Sequence, residues 1–162
     1  SVVARPLVVG DMVVVGSFDR NLYALDAATG ELRWSFQGEN WFWASPVTDG
    51  TNIYAACMDG KLYALDMEGR PIWSQPFDAG DPIVSTPVLL GDRILVASDS
   101  ERGRIHLVSL RNGTQEWFYD LGARVRADLV GQDSLAIVST LEHQVKAIEV
   151  RRAERWTLPT KG

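Results

Sequence analysis

Cysteine and histidine are scarce in this sequence, which has one cysteine, Cys57, and two histidines, His106 and His143, among 162 residues. A single cysteine cannot form a disulfide within the chain, and it excludes zinc sites built from cysteine pairs. The two histidines lie far apart and have no partner histidine at ligand spacing, so we expect no metal site. No apolar run approaches the roughly 20 residues that a membrane-spanning helix needs.

Positive charge is also in short supply, since 16 lysines and arginines face 21 acidic residues and leave a net charge of −5. An acidic chain without a basic stripe is a poor candidate for binding nucleic acid. Phosphate-binding glycine loops, dinucleotide-binding glycine patterns and Gly-x-Ser-x-Gly elbows are all missing. The sequence therefore offers no local support for catalysis, and we expect no enzyme.

The sequence does contain a long internal repeat, and this repeat decides the fold. Four tryptophans recur at nearly even intervals, and a similar phrase precedes each one: Trp34, Trp73, Trp117 and Trp156. In the first copy this phrase runs from Leu22 to Trp34. Prolines recur upstream in the first three copies, and the fourth copy has Leu129 in that place. Four copies, each of about 40 residues, therefore account for the whole chain.

Each copy predicts four short β-strands and no helix. Residues after the proline form the first strand, the next apolar stretch forms the second, the Leu-Tyr-Ala-Leu-Asp type of segment forms the third, and a segment ending in the tryptophan forms the fourth. Asp59-Gly60 predicts a tight hairpin, because both turn positions need positive φ. The segment from Asp26 to Gly30 predicts a turn closed by its own carboxylate.

Four-stranded units that repeat with this period predict an all-β protein, a β-propeller of four antiparallel blades. The blades are expected at about 1–40, 41–81, 82–123 and 124–162. An open arc of four blades would leave two apolar blade faces bare, so we expect it to be part of a seven- or eight-bladed ring. Half of an eight-bladed ring, a pair of chains that forms such a ring, and closure of four blades alone are the three alternatives.

The repeat resembles the tryptophan-docking motif of the quinoprotein-type, or PQQ-like, propellers, whose pattern is Ala-x-Asp-x-x-x-Gly-x-x-x-Trp. The second copy has one residue deleted, and the third and fourth copies are degenerate. The matching positions are Ala24, Asp26, Gly30, Trp34, Ala64, Asp66, Gly69, Trp73, Gly113, Trp117 and Trp156. A tryptophan in this motif is expected to pack on the neighbouring blade, where small residues leave room for the ring.

The same resemblance raises the question of a quinone cofactor. Quinoprotein dehydrogenases would imply adjacent cysteines, a tryptophan floor, and Asp, Glu and Asn ligands to calcium. Cys57 stands alone in a predicted strand, and no run of calcium-binding oxygen ligands occurs. We therefore predict no cofactor and expect Cys57 to be a small buried apolar residue.

Candidate partner-binding residues lie in the loops between predicted blades. Trp41 and Phe42 form an aromatic loop after blade one, whereas Trp43 is expected to enter the core because it aligns with Val84. The equivalent loops of the next blades carry charged residues. The candidates are Trp41, Phe42, Asp78, Asp81, Arg124 and Arg126.

The resemblance implies a non-catalytic binding scaffold, similar to the propeller lipoproteins that assist outer-membrane β-barrel assembly. Such a scaffold would present its loops to a protein partner and would lie outside the cytoplasm, in the periplasm or at the cell surface. The remaining blades of a parent protein, or a second copy of the chain, are further expected partners. The alternatives are a fragment of a quinoprotein dehydrogenase with its active-site residues elsewhere, and an extracytoplasmic domain that senses a ligand or stress.

Overall fold

The computed structural model of the chain describes residues 4–132, 134–150 and 153–160, and for residues 153–156 it describes the backbone alone. The described residues form sixteen β-strands in four antiparallel sheets. Within these ranges there is no helix that is long and apolar enough to cross a membrane. The all-β architecture of four-stranded propeller blades is therefore confirmed.

Each sheet uses four strands that are consecutive in the sequence, so every hydrogen-bonded neighbour is also the next strand along the chain. Blade one contains β1 (Leu7–Val9), β2 (Met12–Gly16), β3 (Asn21–Asp26) and β4 (Leu32–Gln37). Blade two contains β5 (Val47–Thr48), β6 (Ile53–Ala56), β7 (Lys61–Leu65) and β8 (Phe77–Asp78). Blade three contains β9 (Val88–Leu90), β10 (Arg93–Ser98), β11 (Arg104–Ser109) and β12 (Gln115–Asp120). Blade four contains β13 (Val130–Gln132), β14 (Leu135–Thr140), β15 (Gln144–Glu149) and β16 (Ala153–Pro159).

The turns between strands use the residues that the sequence indicated. The Asp26 carboxylate accepts hydrogen bonds from the amides of Ala28 and Thr29, each at 2.9 Å, and Gly30 takes a φ of +74° to end the turn. In the hairpin between β6 and β7, Gly60 has a φ of +87°, but Asp59 does not have a positive φ, so the prediction that both positions need one was wrong. The Gly60 amide instead donates to the Cys57 carbonyl at 3.2 Å, which closes a four-residue turn that ends on the glycine.

The hydrophobic core lies between the blades, because the middle strands bury both of their faces. On β6, Ile53 packs with blade one, whereas its neighbour Tyr54 packs with blade three. On β10, Ile94 faces blade two and Leu95 faces blade four. Successive side chains on a strand point to opposite faces, so these middle strands of blades two and three each join two inter-blade cores, whereas the core residues of β2 and β3 belong only to the core between blades one and two.

The motif tryptophans bridge one blade to the next. The Trp34 indole Nε1 donates to the Met67 carbonyl of blade two at 2.8 Å, and a Cβ on Gly69 would lie only 2.6 Å from Trp34 Cδ2. Trp73 repeats this contact, since its Nε1 donates to the Leu110 carbonyl of blade three at 2.9 Å. The tryptophan of each of these blades therefore lies on the third-to-fourth-strand turn of the following blade, where a glycine leaves room for the ring.

The outer strands differ from the expectation that they end at the tryptophan. In blade one, Trp34 is the third residue of β4, and the strand continues to Gln37. In blade two, Trp73 lies before the short β8, and Pro71 makes only an isolated bridge to Leu65. The Ile72 amide still donates to the Ala64 carbonyl at 2.9 Å, so the pairing is lost only between Trp73 and Pro76.

The two degenerate copies are described to different depths. Trp117 is half-buried beside the core between blades three and four, and its ring stacks on Tyr119 with 6.1 Å between ring centroids. In the fourth copy the backbone of Trp156 pairs with Ala147. The side chain of Trp156 lies outside the described residues, and its packing stays a prediction.

Candidate functional site

One end of the blades carries both the blade-to-blade connections and the hairpins between second and third strands. Backbone hydrogen bonds repeat here from junction to junction: the Met58 amide donates to the Trp41 carbonyl at 2.9 Å, and the Asp99 amide donates to the Pro82 carbonyl at 2.7 Å. The Leu141 amide donates in the same way to Arg124 at 3.0 Å. We call this end the connection face. Its repeated backbone places equivalent side chains at each blade junction.

At the junction of blades one and two, three aromatic rings form a stack. The Phe18 ring lies 4.9 Å from that of Trp41 and 5.3 Å from that of Trp43, with interplanar angles of 28° and 19°. Trp41 is 42% exposed and Trp43 is 41% exposed. Large rings that stay this exposed on a folded surface are typical of binding sites.

At the junction of blades three and four, the equivalent positions hold an ionic cluster. The Asp99 carboxylate accepts from Arg124 Nε at 3.1 Å and from Arg126 Nε at 2.9 Å. The Asp99 side chain is only 6% exposed, whereas those of Arg124 and Arg126 are 42% and 55% exposed. A buried carboxylate thus holds two guanidinium groups at the surface.

Between these two junctions lies a depression of about 380 Å³. A second depression of about 330 Å³ adjoins it, and the two share Trp43, Val84 and Arg126 as lining residues. Together they form a cleft that we call the junction groove. The first depression is lined by Trp43, Met58, Pro82, Val84, Asp99, Arg124 and Arg126.

The predicted site residues fall into two groups. Trp41, Arg124 and Arg126 all lie on the connection face, and both arginines line the junction groove. Asp78 instead lines a separate depression with Lys61. Asp81 contributes its backbone beside Gly60 and does not line the first depression of the groove.

The expectations for Phe42 and Trp43 were wrong. Phe42 is 1% exposed and lies in the core between blades one and two, so it cannot contact a partner. Trp43 was expected in the core and is exposed, as the aromatic stack shows. Side chains alternate between two faces along an extended segment, so a shift of one residue inverts the assignment. The equivalent residues Ile83 and Val125 are also buried.

Sequence reasoning missed Phe18, Met58 and Asp99. Each of them lies in a second-to-third-strand hairpin and faces the following blade connection: Phe18 stacks on Trp41, Met58 lines the first depression with Pro82 and Val84, and Asp99 pairs with Arg124. The repeat alignment could have identified them, because it places these three residues at the same position of the hairpin. Phe18 contacts Trp41 and Trp43, and Asp99 contacts Arg124 and Arg126, which occupy the equivalent positions of their connection.

Reactive groups elsewhere in the described part are held in structural roles. Burial raises the pKa of the Cys57 thiol to about 12, and its Sγ donates to the Asn40 carbonyl at 3.2 Å. His106 is buried, and its Nδ1 lies 2.7 Å from Gln115 Oε1. Among the described residues, no group of three or more His, Cys, Asp or Glu side chains could hold a metal ion.

Four-stranded blades with an inter-blade core and tryptophans that dock on the next blade define a quinoprotein-type β-propeller. Residues 1–157 match the family model described as "Outer membrane protein assembly factor BamB", and the chain belongs to that family.

Among curated relatives, the BamB of Marinobacter adhaerens is 31% identical over 140 residues. That match covers 84% of this chain and 35% of the relative, so the chain spans about a third of that protein's length. The crystal structure of BamB from Moraxella catarrhalis matches with a TM-score of 0.80 at 19% identity, covering 96% of this chain and 49% of that one. The quinohemoprotein alcohol dehydrogenase of Comamonas testosteroni matches with a TM-score of 0.85 at 14% identity, covering 98% and 35%. The last two similarities describe the fold alone.

Proposed function

We propose that this chain is a non-catalytic propeller segment that binds a protein partner through its connection face, in an extracytoplasmic compartment. The observation that carries the proposal is the exposure of Trp41, Trp43 and Arg126 side by side on one face. Tryptophan and arginine are the residues most enriched at the energetic centres of protein interfaces. Membership of a family described as an outer membrane assembly factor supports both the role and the location.

The opposite end of the blades is a weaker candidate because its charges satisfy one another. Arg33 bridges Asp11 and Asp26 there, with both contacts at 2.6 Å. Arg70 likewise pairs with Asp66 and Glu68 at 2.8 and 2.9 Å. Such exposed ion pairs contribute little to stability, but they occupy the guanidinium groups of both arginines and leave them little capacity for a partner.

A quinone-dependent dehydrogenase is not favoured by the residues present. The resemblance would call for adjacent cysteines at a cofactor site, whereas Cys57 is buried and hydrogen-bonded to the Asn40 carbonyl. The residues therefore do not fit the quinone. The remaining blades of a longer protein, or a second copy of this chain, would be additional partners at the lateral faces of blades one and four.

Site-specific photo-cross-linking tests the proposal. A benzoylphenylalanine replaces Trp41 or Arg126 in the full-length parent protein in its native host, with Glu31 and Glu68 on the opposite end as matched controls. We expect both connection-face positions to capture the same protein and the control positions to capture none. Equal capture at the controls, or no capture at Trp41 and Arg126, would refute the proposal.

A further inference from the structure

We propose that the junction groove binds an acidic and apolar segment of peptide, with a carboxylate on Arg126 and an apolar side chain against Trp43. This inference rests on the proposed function and adds the chemistry of the partner. An extended peptide places alternate side chains on one side, so an acidic residue and an apolar residue two positions apart can enter the two depressions of the groove together.

Charge is the first argument. Arg126 donates to Asp99 only through Nε, and neither of its η-nitrogens has a protein acceptor in the described part of the chain. Its guanidinium is thus anchored along one edge and open along the other, a geometry that suits a carboxylate. Asp99 is already shared with Arg124 and cannot neutralise both arginines.

The lining residues of the whole junction groove also carry more positive than negative charge. The second depression adds Arg5 and Asp128, and the Asp128 carboxylate already accepts from the Thr86 amide at 2.7 Å. Among the residues that line the two depressions, three arginines therefore face two carboxylates, on a chain whose net charge is −5, and the nearby Glu142 carboxylate is held by the Arg124 amide at 3.2 Å. A locally positive cleft on an acidic protein selects an anionic ligand.

The apolar wall is the second argument. Trp43, Met58, Pro82 and Val84 line the same depression as the two arginines. An exposed indole next to a flexible methionine suits varied apolar side chains. The two depressions together are larger than one side chain needs, which favours a peptide over an isolated carboxylate.

The test is calorimetric titration of the whole chain with blocked hexapeptides. The probe is Ser-Glu-Glu-Phe-Val-Ser, in which each apolar residue lies two positions after a glutamate, and the matched peptide has glutamine at both glutamate positions. N-acetylglutamate serves as the small-anion probe. The variants are Arg126→Gln and Trp43→Ala, and Arg93→Gln is the control, because Arg93 pairs with Glu116 on the opposite end.

We expect the glutamate peptide to bind and to lose at least about tenfold in affinity when either its glutamates become glutamine or Arg126 becomes glutamine. The two changes together should cost little more than one, and Arg93→Gln should have no effect. Trp43→Ala keeps the guanidinium and should also weaken binding. Quenching of tryptophan emission should accompany binding of the glutamate peptide to the unmodified chain.

Three results would overturn the inference: no binding of the glutamate peptide at about 1 mM, equal binding of the glutamate and glutamine peptides, or N-acetylglutamate binding as tightly as the peptide. If peptide binding fails while Trp41 and Arg126 still cross-link one protein, the face binds a partner by other chemistry. If cross-linking fails as well, the proposed function is itself wrong.

Discussion

The contact between a docked tryptophan and the glycine beneath it can be measured with two matched substitutions, Gly113→Ala and Gly30→Ala. Both glycines end a third-to-fourth-strand turn, and both have a φ of +74°. A Cβ on Gly113 would lie 2.7 Å from Trp73 Cε3 and 2.8 Å from its Cδ2. A Cβ on Gly30 would have nothing within 4 Å. The pair therefore separates backbone strain from the clash with the ring.

The expected magnitudes follow from these two effects. An alanine forced into the left-handed region costs about 1–2 kcal/mol, so Gly30→Ala should lower the free energy of unfolding by that amount. Overpacking against the ring adds about 1–3 kcal/mol, because carbon atoms normally approach to about 3.5–4.0 Å. Gly113→Ala should therefore cost about 2–5 kcal/mol in total.

Urea unfolding followed by far-ultraviolet circular dichroism measures both costs without relying on tryptophan fluorescence. A third variant, Trp73→Ala, removes the ring. In that background Gly113→Ala should cost no more than Gly30→Ala does, giving a coupling free energy of about 1–3 kcal/mol between Gly113 and Trp73. If Gly113→Ala and Gly30→Ala cost the same in the unmodified chain, the tryptophan does not dock as described.

Three further outcomes are expected. Trp34→Ala should lower the free energy of unfolding by about 3–5 kcal/mol, whereas Trp41→Ala in the exposed stack should lower it by about 1 kcal/mol or less. Similar costs for the two variants would contradict the docking of Trp34. Burial lowers the pKa of His106 below its usual 6.5, so the folded state binds fewer protons than the unfolded state, and denaturation should show stability falling as the pH drops below 6.5. His106→Tyr, which introduces the residue that Tyr23 and Tyr63 provide at this position of blades one and two, should flatten that slope. An unchanged slope would refute the cause. The Cys57 thiol, with its pKa raised to about 12 by burial, should react with Ellman's reagent only after unfolding, and rapid reaction of the native chain would count against its burial.

The fold could be predicted from the sequence because the residues of its main packing contact, a tryptophan against the next blade, recur at a nearly constant spacing. A tryptophan, a glycine turn and a small residue recur together, and Trp34 and Trp73 make equivalent contacts with the next blade. The outer strand of blade two was harder to predict, because its pairing with β7 stops after Ile72 and resumes only at Phe77, and the repeat has no residue that marks this gap.

The candidate site was only partly predictable. The connection positions at Trp41, Arg124 and Arg126 follow from the repeat, yet the alternation that buries Phe42 and exposes Trp43 depends on which face of a short segment meets the core. Asp99 joins Arg124 across 25 positions in the sequence. Pairwise contacts of this range become visible only when the blade junctions are placed in space.

The docking of each tryptophan on the following blade also bears on how the chain folds while it is being synthesised. Trp34 finds its carbonyl acceptor 33 residues later, and Trp73 finds its acceptor 37 residues later. Synthesis delivers the chain from its N-terminus at about 5–20 residues per second. The outer strand of each of these blades must therefore wait, incompletely anchored, until the third strand of the next blade has emerged. A pause in synthesis just after a blade's tryptophan would prolong this incompletely anchored state. A pause after the third strand of the next blade would have no such effect, because the tryptophan has then reached its carbonyl acceptor.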